Sequence, residues 1–111
     1  MADIFRGLPQ DHGPALSFAL PRIAKGSPLS LACTLDIIHR VRVSPKIERA
    51  LDQEYRFTSR ALEHGDLIEG VRAAIIDKDK APVWRHASLD DLPGYEVFQM
   101  LLPQVEAPLD L

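Results

Sequence analysis

The chain has 111 residues, of which 46% are hydrophobic, and this suffices for one globular domain of ordinary size. Its 13 Lys and Arg against 16 Asp and Glu give a formal net charge of -3 without a long run of one sign, so nucleic acid is not an expected partner. No apolar run approaches the ~20 residues of a membrane span, and the N-terminus lacks the apolar stretch of a secretory signal, which together predict a soluble, cytoplasmic protein without a membrane partner.

Prolines and glycines divide the rest of the chain into apolar segments of helical length. Residues 1–13 are predicted to be an N-terminal lead-in. Pro14 can open a helix that runs to about Lys25 and stops at Gly26. The residues that share one face of this helix are Leu16, Ala19, Leu20 and Ile23.

Two Ser-Pro pairs, Ser27-Pro28 and Ser44-Pro45, predict the next two helix starts. A serine at the N-cap accepts an unpaired backbone N–H, and proline at the first helical position has no N–H to leave unpaired. The first helix has an apolar stripe of Leu31, Leu35 and Ile38. The second, the longest, is predicted to end at about His64 before Gly65, with a stripe of Ile47, Leu51, Thr58, Ala61 and Leu62.

Glu54 falls inside the stripe of the longest helix and is its one polar exception. One interpretation places Glu54 at the edge of the buried face, with its carboxylate in water or on a neighbouring arginine. The alternative is a functional role.

A fourth helix is predicted from Asp66 to about Asp77. Asp66 and Glu69 have the spacing of a capping box, in which each side chain binds a backbone N–H of the other residue. Gly70 would permit close approach of another backbone. The residues expected to face inward are Leu67, Val71, Ala74 and Ile75.

An extended arm is predicted from Asp77 to Ala87, where Asp-Lys-Asp-Lys-Ala-Pro interrupts the helical pattern. A last short helix should cover Tyr95 to Leu102, and residues 103–111 should be a flexible tail. No segment alternates apolar and polar residues as a strand does. The sequence therefore predicts an all-α domain over residues 14–102, with four to five helices in an antiparallel bundle or hairpin stack.

No catalytic or metal-binding pattern stands out. The four histidines, at 12, 39, 64 and 86, lack a paired spacing, and no metal site is expected. Cys33, the only cysteine, is interpreted as a small core residue. Ser27, Ser44 and Ser88 are better explained as helix caps than as nucleophiles. These residues alone indicate a helical domain that binds a partner or covers another part of a protein.

Four ordered pieces of the sequence resemble one enzyme family. They are Ser-Pro-Leu-Ser-Leu at 27–31, Asp-Gln-Glu-Tyr-Arg at 52–56, Glu-Gly-Val-Arg-Ala at 69–73 and Ile-Asp-Lys-Asp-Lys-Ala-Pro-Val-Trp at 76–84. Their order and spacing are similar to those in the C-terminal helical region of 3-hydroxyisobutyryl-CoA hydrolases, a branch of the crotonase (enoyl-CoA hydratase/isomerase) superfamily. The resemblance covers about Ala15 to Leu102, and the Asp-Lys-Asp form points to the hydrolase branch.

The resemblance implies a parent enzyme that hydrolyses an acyl-CoA thioester in valine breakdown. The family's catalytic groups lie in an N-terminal β/α core that is expected to be absent from this chain. We therefore expect no catalytic residue here, no activity of the chain alone, and no cofactor beyond the coenzyme A moiety of the substrate. The catalytic core and the acyl-CoA are the implied partners.

The resemblance also suggests roles for individual residues. Lys78 holds the position of a basic residue that can meet the CoA phosphates, although an exposed lysine is more often a solvated surface charge. Trp84 is amphipathic enough to line a cleft, but as the only tryptophan, after a proline, it is expected to pack the arm onto the helices. Glu54 and Arg72 are predicted to pair across two helices.

The alternative to an enzyme part is a free-standing helical protein-interaction module derived from such a region. The DNA upstream of Met1 would distinguish the two, since an in-frame crotonase core supports the first. In either case, apolar faces without their usual cover should be exposed, which favours self-association.

Overall fold

The computed structural model describes residues 13–105 and 107–109, so residues 1–12 of the predicted lead-in lie outside the described part. Within that part the chain forms five α-helices and no strand, which confirms the predicted all-α class. They are α1 Pro14–Lys25, α2 Pro28–Val43, α3 Ile47–His64, α4 Leu67–Val71 and α5 Gly94–Met100. A π-helical turn, Arg72–Ile76, continues α4, and a 3-10 turn, Leu89–Asp91, precedes α5.

The junction between α1 and α2 follows the sequence prediction. Gly26 ends α1, and Ser27 is the N-cap of α2, where its hydroxyl accepts the N–H of Ser30 at 3.2 Å. Pro28 occupies the first turn, at a position where no backbone donor is lost.

The second Ser-Pro pair behaves differently, and the prediction that it caps α3 is wrong. Ser44 ends α2, and its carbonyl accepts the N–H of Lys46 at 2.8 Å in a tight turn that contains Pro45. This turn delays the start of α3 to Ile47, with Lys46 as an N-cap that makes no side-chain bond. The same Ser-Pro dipeptide therefore closes one helix here and opens one at residue 27.

Gly65 ends α3 as predicted, for a reason of space. Its φ of -116° is extended rather than left-handed. A Cβ at this position would lie 2.9 Å from the carbonyl oxygen of Ala61, a contact that any larger residue would have to relieve by moving the backbone.

The core lies where α2, α3 and α5 pack against one another. Leu29, Cys33 and Met100 are its buried cluster, against which Phe57, Leu92 and Val97 pack. Cys33 is 1% exposed, as expected for a small core residue, and burial raises the pKa of its thiol to about 12. The thiol is therefore protonated and unreactive at neutral pH.

The buried face of α3 is rotated from the predicted one. Gln53 and Ala61 are the buried residues of this helix, whereas Ile47 and Leu62 are 67% and 57% exposed. The apolar residues of α3 cover a wider arc of the helix than the part that packs against α2 and α5. The side of α3 that faces the core is the one that contains Phe57. The residues left uncovered, here called the apolar strip, are Ile47, Leu51, Thr58 and Leu62.

The same error affects α2 and α4. Ile38, predicted in the stripe of α2, is 54% exposed, because the buried side of that helix carries Leu29 and Cys33. In the α4 segment the buried residue is Ala73. The four residues predicted to face inward are instead exposed: Leu67, Val71, Ala74 and Ile75.

Three guanidinium groups hold the end of α5, which stops at Met100 rather than at Leu102. Arg40 and Arg56 donate to the carbonyl of Leu101, at 3.5 and 3.3 Å, and Arg60 donates to that of Met100 at 3.0 Å. Unpaired carbonyls at a helix C-terminus carry partial negative charge, so cations stabilise this end.

The segment after α5, for which a flexible tail was predicted, makes hydrogen bonds to α3 in its described residues. The Tyr55 hydroxyl donates to the carbonyl of Ala107 at 2.6 Å, and the Gln104 amide donates to Ser59 at 2.5 Å.

Candidate functional site

The arm, residues 77–87, follows the π-helical turn without regular secondary structure, as the sequence predicts. Arg72 shapes its first half. Its guanidinium binds both oxygens of Glu69 at 2.7 Å, and it also donates to Asp77 at 2.8 Å and to Asp79 at 2.7 Å. A planar group with five donors can hold several carboxylates at once. The carboxylates fold the chain back around Arg72.

Backbone bonds complete this turn. Glu69 accepts the N–H of Val83 at 2.8 Å, and Asp79 accepts that of Ala81 at 2.9 Å. The Lys80 N–H donates to the carbonyl of Ala73 at 3.0 Å. The arm is therefore tied to the α4 segment at several points along its length.

The ion pairs shift the titration of these groups. Hydrogen bonds from Arg72 and then from the Val83 N–H lower the pKa of Glu69 to about 2. The Arg72 and Ala81 hydrogen bonds likewise lower the pKa of Asp79, and the three carboxylates raise the pKa of Arg72. Glu69, Asp79 and Arg72 are therefore charged at neutral pH.

Lys78 and Lys80 have left-handed backbone conformations, with φ of 54° and 53°. Such conformations are unfavourable for residues with a Cβ and persist where the surroundings impose them. Here the carboxylates on either side of Lys78 are held by Arg72. Lys78 is exposed at this turn.

The second half of the arm is fixed to the helices by Trp84 and Arg85. The Trp84 indole donates to the carbonyl of Lys25 at 3.0 Å, at the end of α1. Its ring lies 3.6 Å from the position of a Cβ on Gly70. Trp84 packs the arm onto the helices, and Gly70 faces this ring rather than another backbone.

Asp66 joins three segments, and the predicted capping box is not formed. Its buried carboxylate accepts the Ser27 hydroxyl at 2.5 Å and the Arg85 N–H at 2.9 Å. It makes no side-chain cap for α4, and Glu69 is engaged by Arg72 and Val83. Asp66 thus binds residues distant in sequence, whereas Glu69 binds Arg72 of its own helical segment and Val83 of the arm.

The predicted pair between Glu54 and Arg72 is wrong. Arg72 is saturated by carboxylates of its own helix and the arm. Glu54 is exposed on α3, within the apolar strip. This position agrees with the interpretation that places its carboxylate in water.

No three His, Cys, Asp or Glu side chains in the described part of the chain are placed to hold a metal ion. The sequence predicts Asp66 as a helix cap and does not predict the junction that it forms. Spacing along one helix indicates a local bond, whereas its partners lie 39 and 19 residues away.

The family model for enoyl-CoA hydratase/isomerase matches residues 1–101. The chain belongs to this family. It is 36% identical to the mitochondrial 3-hydroxyisobutyryl-CoA hydrolase of Gallus gallus over 92 residues, and 39% identical to that of Mus musculus over 89 residues. These matches cover 83% and 80% of the chain, and they confirm the resemblance found from the sequence motifs.

A solved family member has the same helical arrangement. An enoyl-CoA hydratase from Rhodobacter sphaeroides 2.4.1 aligns with 86% of this chain at a TM-score of 0.79 and 45% sequence identity. The alignment covers 28% of the Rhodobacter chain. Likewise, the chain spans about a quarter of the two curated relatives, 24% and 23%. In the described part, no helix is long and apolar enough to cross a membrane.

Proposed function

We propose that this chain is the C-terminal helical part of a 3-hydroxyisobutyryl-CoA hydrolase-like enzyme that acts on an acyl-CoA thioester of valine catabolism. The similarity to two curated hydrolases over four fifths of the chain supports this proposal. The helices would cover the acyl-CoA cleft and supply no catalytic residue. The chain alone is then inactive, and its partners are the catalytic core and the acyl-CoA.

The arm is the part proposed to meet the coenzyme A phosphates. Arg72 and its carboxylates give the turn at residues 77–80 a fixed shape, so the exposed ammonium group of Lys78 is presented without a large loss of backbone freedom on binding. Asp77 and Asp79 are both paired with Arg72, which reduces their repulsion of an approaching phosphate. This arrangement is the observation that carries the proposal.

The apolar strip is the part proposed to rest on the catalytic core. Its side chains lie on one side of α3, and the α4 segment carries further exposed apolar residues. The same helices form 28% of the Rhodobacter chain, so a family member of that length has ample further polypeptide to cover such a surface. An uncovered apolar surface of this kind is typical of an interface.

A titration of the chain with coenzyme A, followed by the backbone amide NMR signals of residues 77–81, tests the arm. We expect weak, saturable shifts at millimolar coenzyme A, smaller shifts with dephospho-coenzyme A, and none in Lys78→Ala. Lys46→Ala is the matched control, because Lys46 is exposed at the start of α3. Equal shifts in Lys78→Ala and the parent chain would contradict the assignment. In a separate assay, the chain incubated with an acyl-CoA should release no coenzyme A.

A further inference from the structure

A cavity of about 560 Å³ lies between the second half of α3, the end of the arm and α5. Its apolar lining is Leu29, Met100 and Leu102. Its polar lining comes from three segments of the chain and consists of Arg60, His64, Arg85, His86, Glu96 and Gln99. Its size is within the range of small-molecule sites, and neither Lys78 nor Arg72 lines it.

The charge of this lining is predominantly positive. Its one carboxylate, Glu96, contacts the imidazole of His86 and is outnumbered by the guanidinium groups of Arg60 and Arg85. Both guanidinium groups are held by backbone carbonyls: Arg60 donates to Met100 at 3.0 Å, and Arg85 donates to Gly65 and Glu63, both at 2.8 Å. Carbonyls orient an arginine but carry no full charge, so two oriented cations remain beside the cavity.

Some donors and polar atoms of the lining are unused. The Nη1 group of Arg85 makes no hydrogen bond within the part of the chain that the structure describes. The Nδ1 atom of His86 is shielded from solvent and has no partner there either. The free Nη1 group of Arg85 is available to an acceptor in the cavity, whereas the shielded Nδ1 atom of His86 is not.

We infer that this cavity binds the phosphate group of a small molecule. Its donors belong to α3, the arm and α5, so they approach from several sides, which suits a tetrahedral anion with acceptors in every direction. A carboxylate is planar and is bound most effectively by two parallel N–H groups of one arginine. In Arg60 and Arg85, such N–H groups already donate to backbone carbonyls. The site is independent of the proposed contact at Lys78.

The probe for this inference is inorganic pyrophosphate, added to the full chain at constant ionic strength and followed by the imidazole NMR signals of His64 and His86. Saturable shifts of both rings are expected. Citrate, at the same ionic strength, should shift them much less. No saturable shift with pyrophosphate, or an equal response to citrate, would overturn the inference.

Gln99 provides the decisive variants, because it lines the cavity and is exposed. Gln99→Glu places a like charge beside the phosphate and should weaken pyrophosphate binding at least about tenfold, whereas Gln99→Lys should strengthen it. Thr58→Glu makes the same change of net charge on the exposed side of α3 and should bind as the parent does. Unchanged binding in Gln99→Glu, with its helical circular dichroism intact, would also overturn the inference.

The two proposals can fail separately. Lys78→Ala should leave the pyrophosphate response of His64 and His86 unchanged, and Gln99→Glu should leave the coenzyme A response of residues 77–81 unchanged. Loss of the imidazole response in Lys78→Ala would place the anion at the arm and overturn the cavity site.

Discussion

At the scale of single residues, Asp66 is the buried polar group that joins three segments of the chain. It is 6% exposed, and it receives hydrogen bonds from the start of α2 and from the arm. Because a buried carboxylate needs its donors, each of these bonds holds a different segment against the start of α4. Asp66 therefore fixes the place where three parts of the chain meet.

Ser27→Ala should destabilise the domain by about 1–3 kcal/mol, because it leaves a buried carboxylate oxygen of Asp66 unsatisfied and removes the cap of α2. Urea unfolding followed by circular dichroism measures this change. Thr34→Ala removes a hydroxyl from the same helix at an exposed position, and it should change stability by less than about 0.5 kcal/mol. Equal effects of the two substitutions would show that the Ser27 bond contributes little.

The arginines show what sequence alone can and cannot give at this scale. The sequence predicts a pair between Arg72 and Glu54, whereas the partners of Arg72 are Glu69, Asp77 and Asp79. Its true partners lie three to seven residues away, within reach of a chain that folds back. The left-handed conformation of Lys78 that makes this fold possible has no signal in the sequence, since lysine rarely adopts it.

At the scale of elements, the sequence predicts several helix ends correctly but not the buried helix faces, and α3 begins later and α5 ends earlier than predicted. Pro14, Ser27 and Gly65 mark real ends because caps act on the local backbone. The face that α3 buries depends on where α2 and α5 lie, and its apolar arc is wide enough to allow two choices. Leu62 and Ala61 are neighbours in sequence, yet the first is 57% exposed and the second 6%.

The arm is the element whose stability should depend on pH. Its pairing with Arg72 lowers the pKa of Glu69 from an ordinary value of about 4.3 to about 2 and also lowers that of Asp79. Because the folded-state pKa is lowered, the ionised carboxylates stabilise the closed arm at pH values above their ordinary pKa. This stabilisation is lost as the pH falls through the folded-state pKa. Closure should therefore be complete above about pH 5 and weaken toward about pH 2.

Trp84 fluorescence reports this opening, because its indole is bound to the end of α1. The parent chain should show a reversible change below about pH 4, while far-ultraviolet circular dichroism changes little. Glu69→Gln removes the titrating carboxylate, so its Trp84 signal should already differ at neutral pH and vary less with acid. An acid transition identical to that of the parent would mean that Glu69 does not control the arm.

At the scale of the whole molecule, apolar surface exceeds what a self-contained domain usually shows. In the described part, six hydrophobic side chains are buried in the core, whereas seventeen large apolar side chains are exposed. Scattered exposed apolar residues are normal, but those of the apolar strip share one side of α3. The sequence predicts this helical stripe correctly but places it in the core, whereas the structure leaves it exposed.

When no catalytic core covers the apolar strip, two copies of the chain should associate through it. The association should be weak, because Glu54 lies within the strip and would have to lose water at the contact. Sedimentation velocity over a range of concentrations should show a monomer in equilibrium with a larger species.

Leu51→Lys combined with Leu62→Lys should leave only the monomer, whereas Glu54→Leu should favour association. Val43→Lys is the control, since Val43 is 85% exposed at the end of α2 and outside the strip. A parent chain that remains monomeric at its highest soluble concentration would contradict this, as would a double variant that still associates, because contact through the strip requires both leucines to lose water.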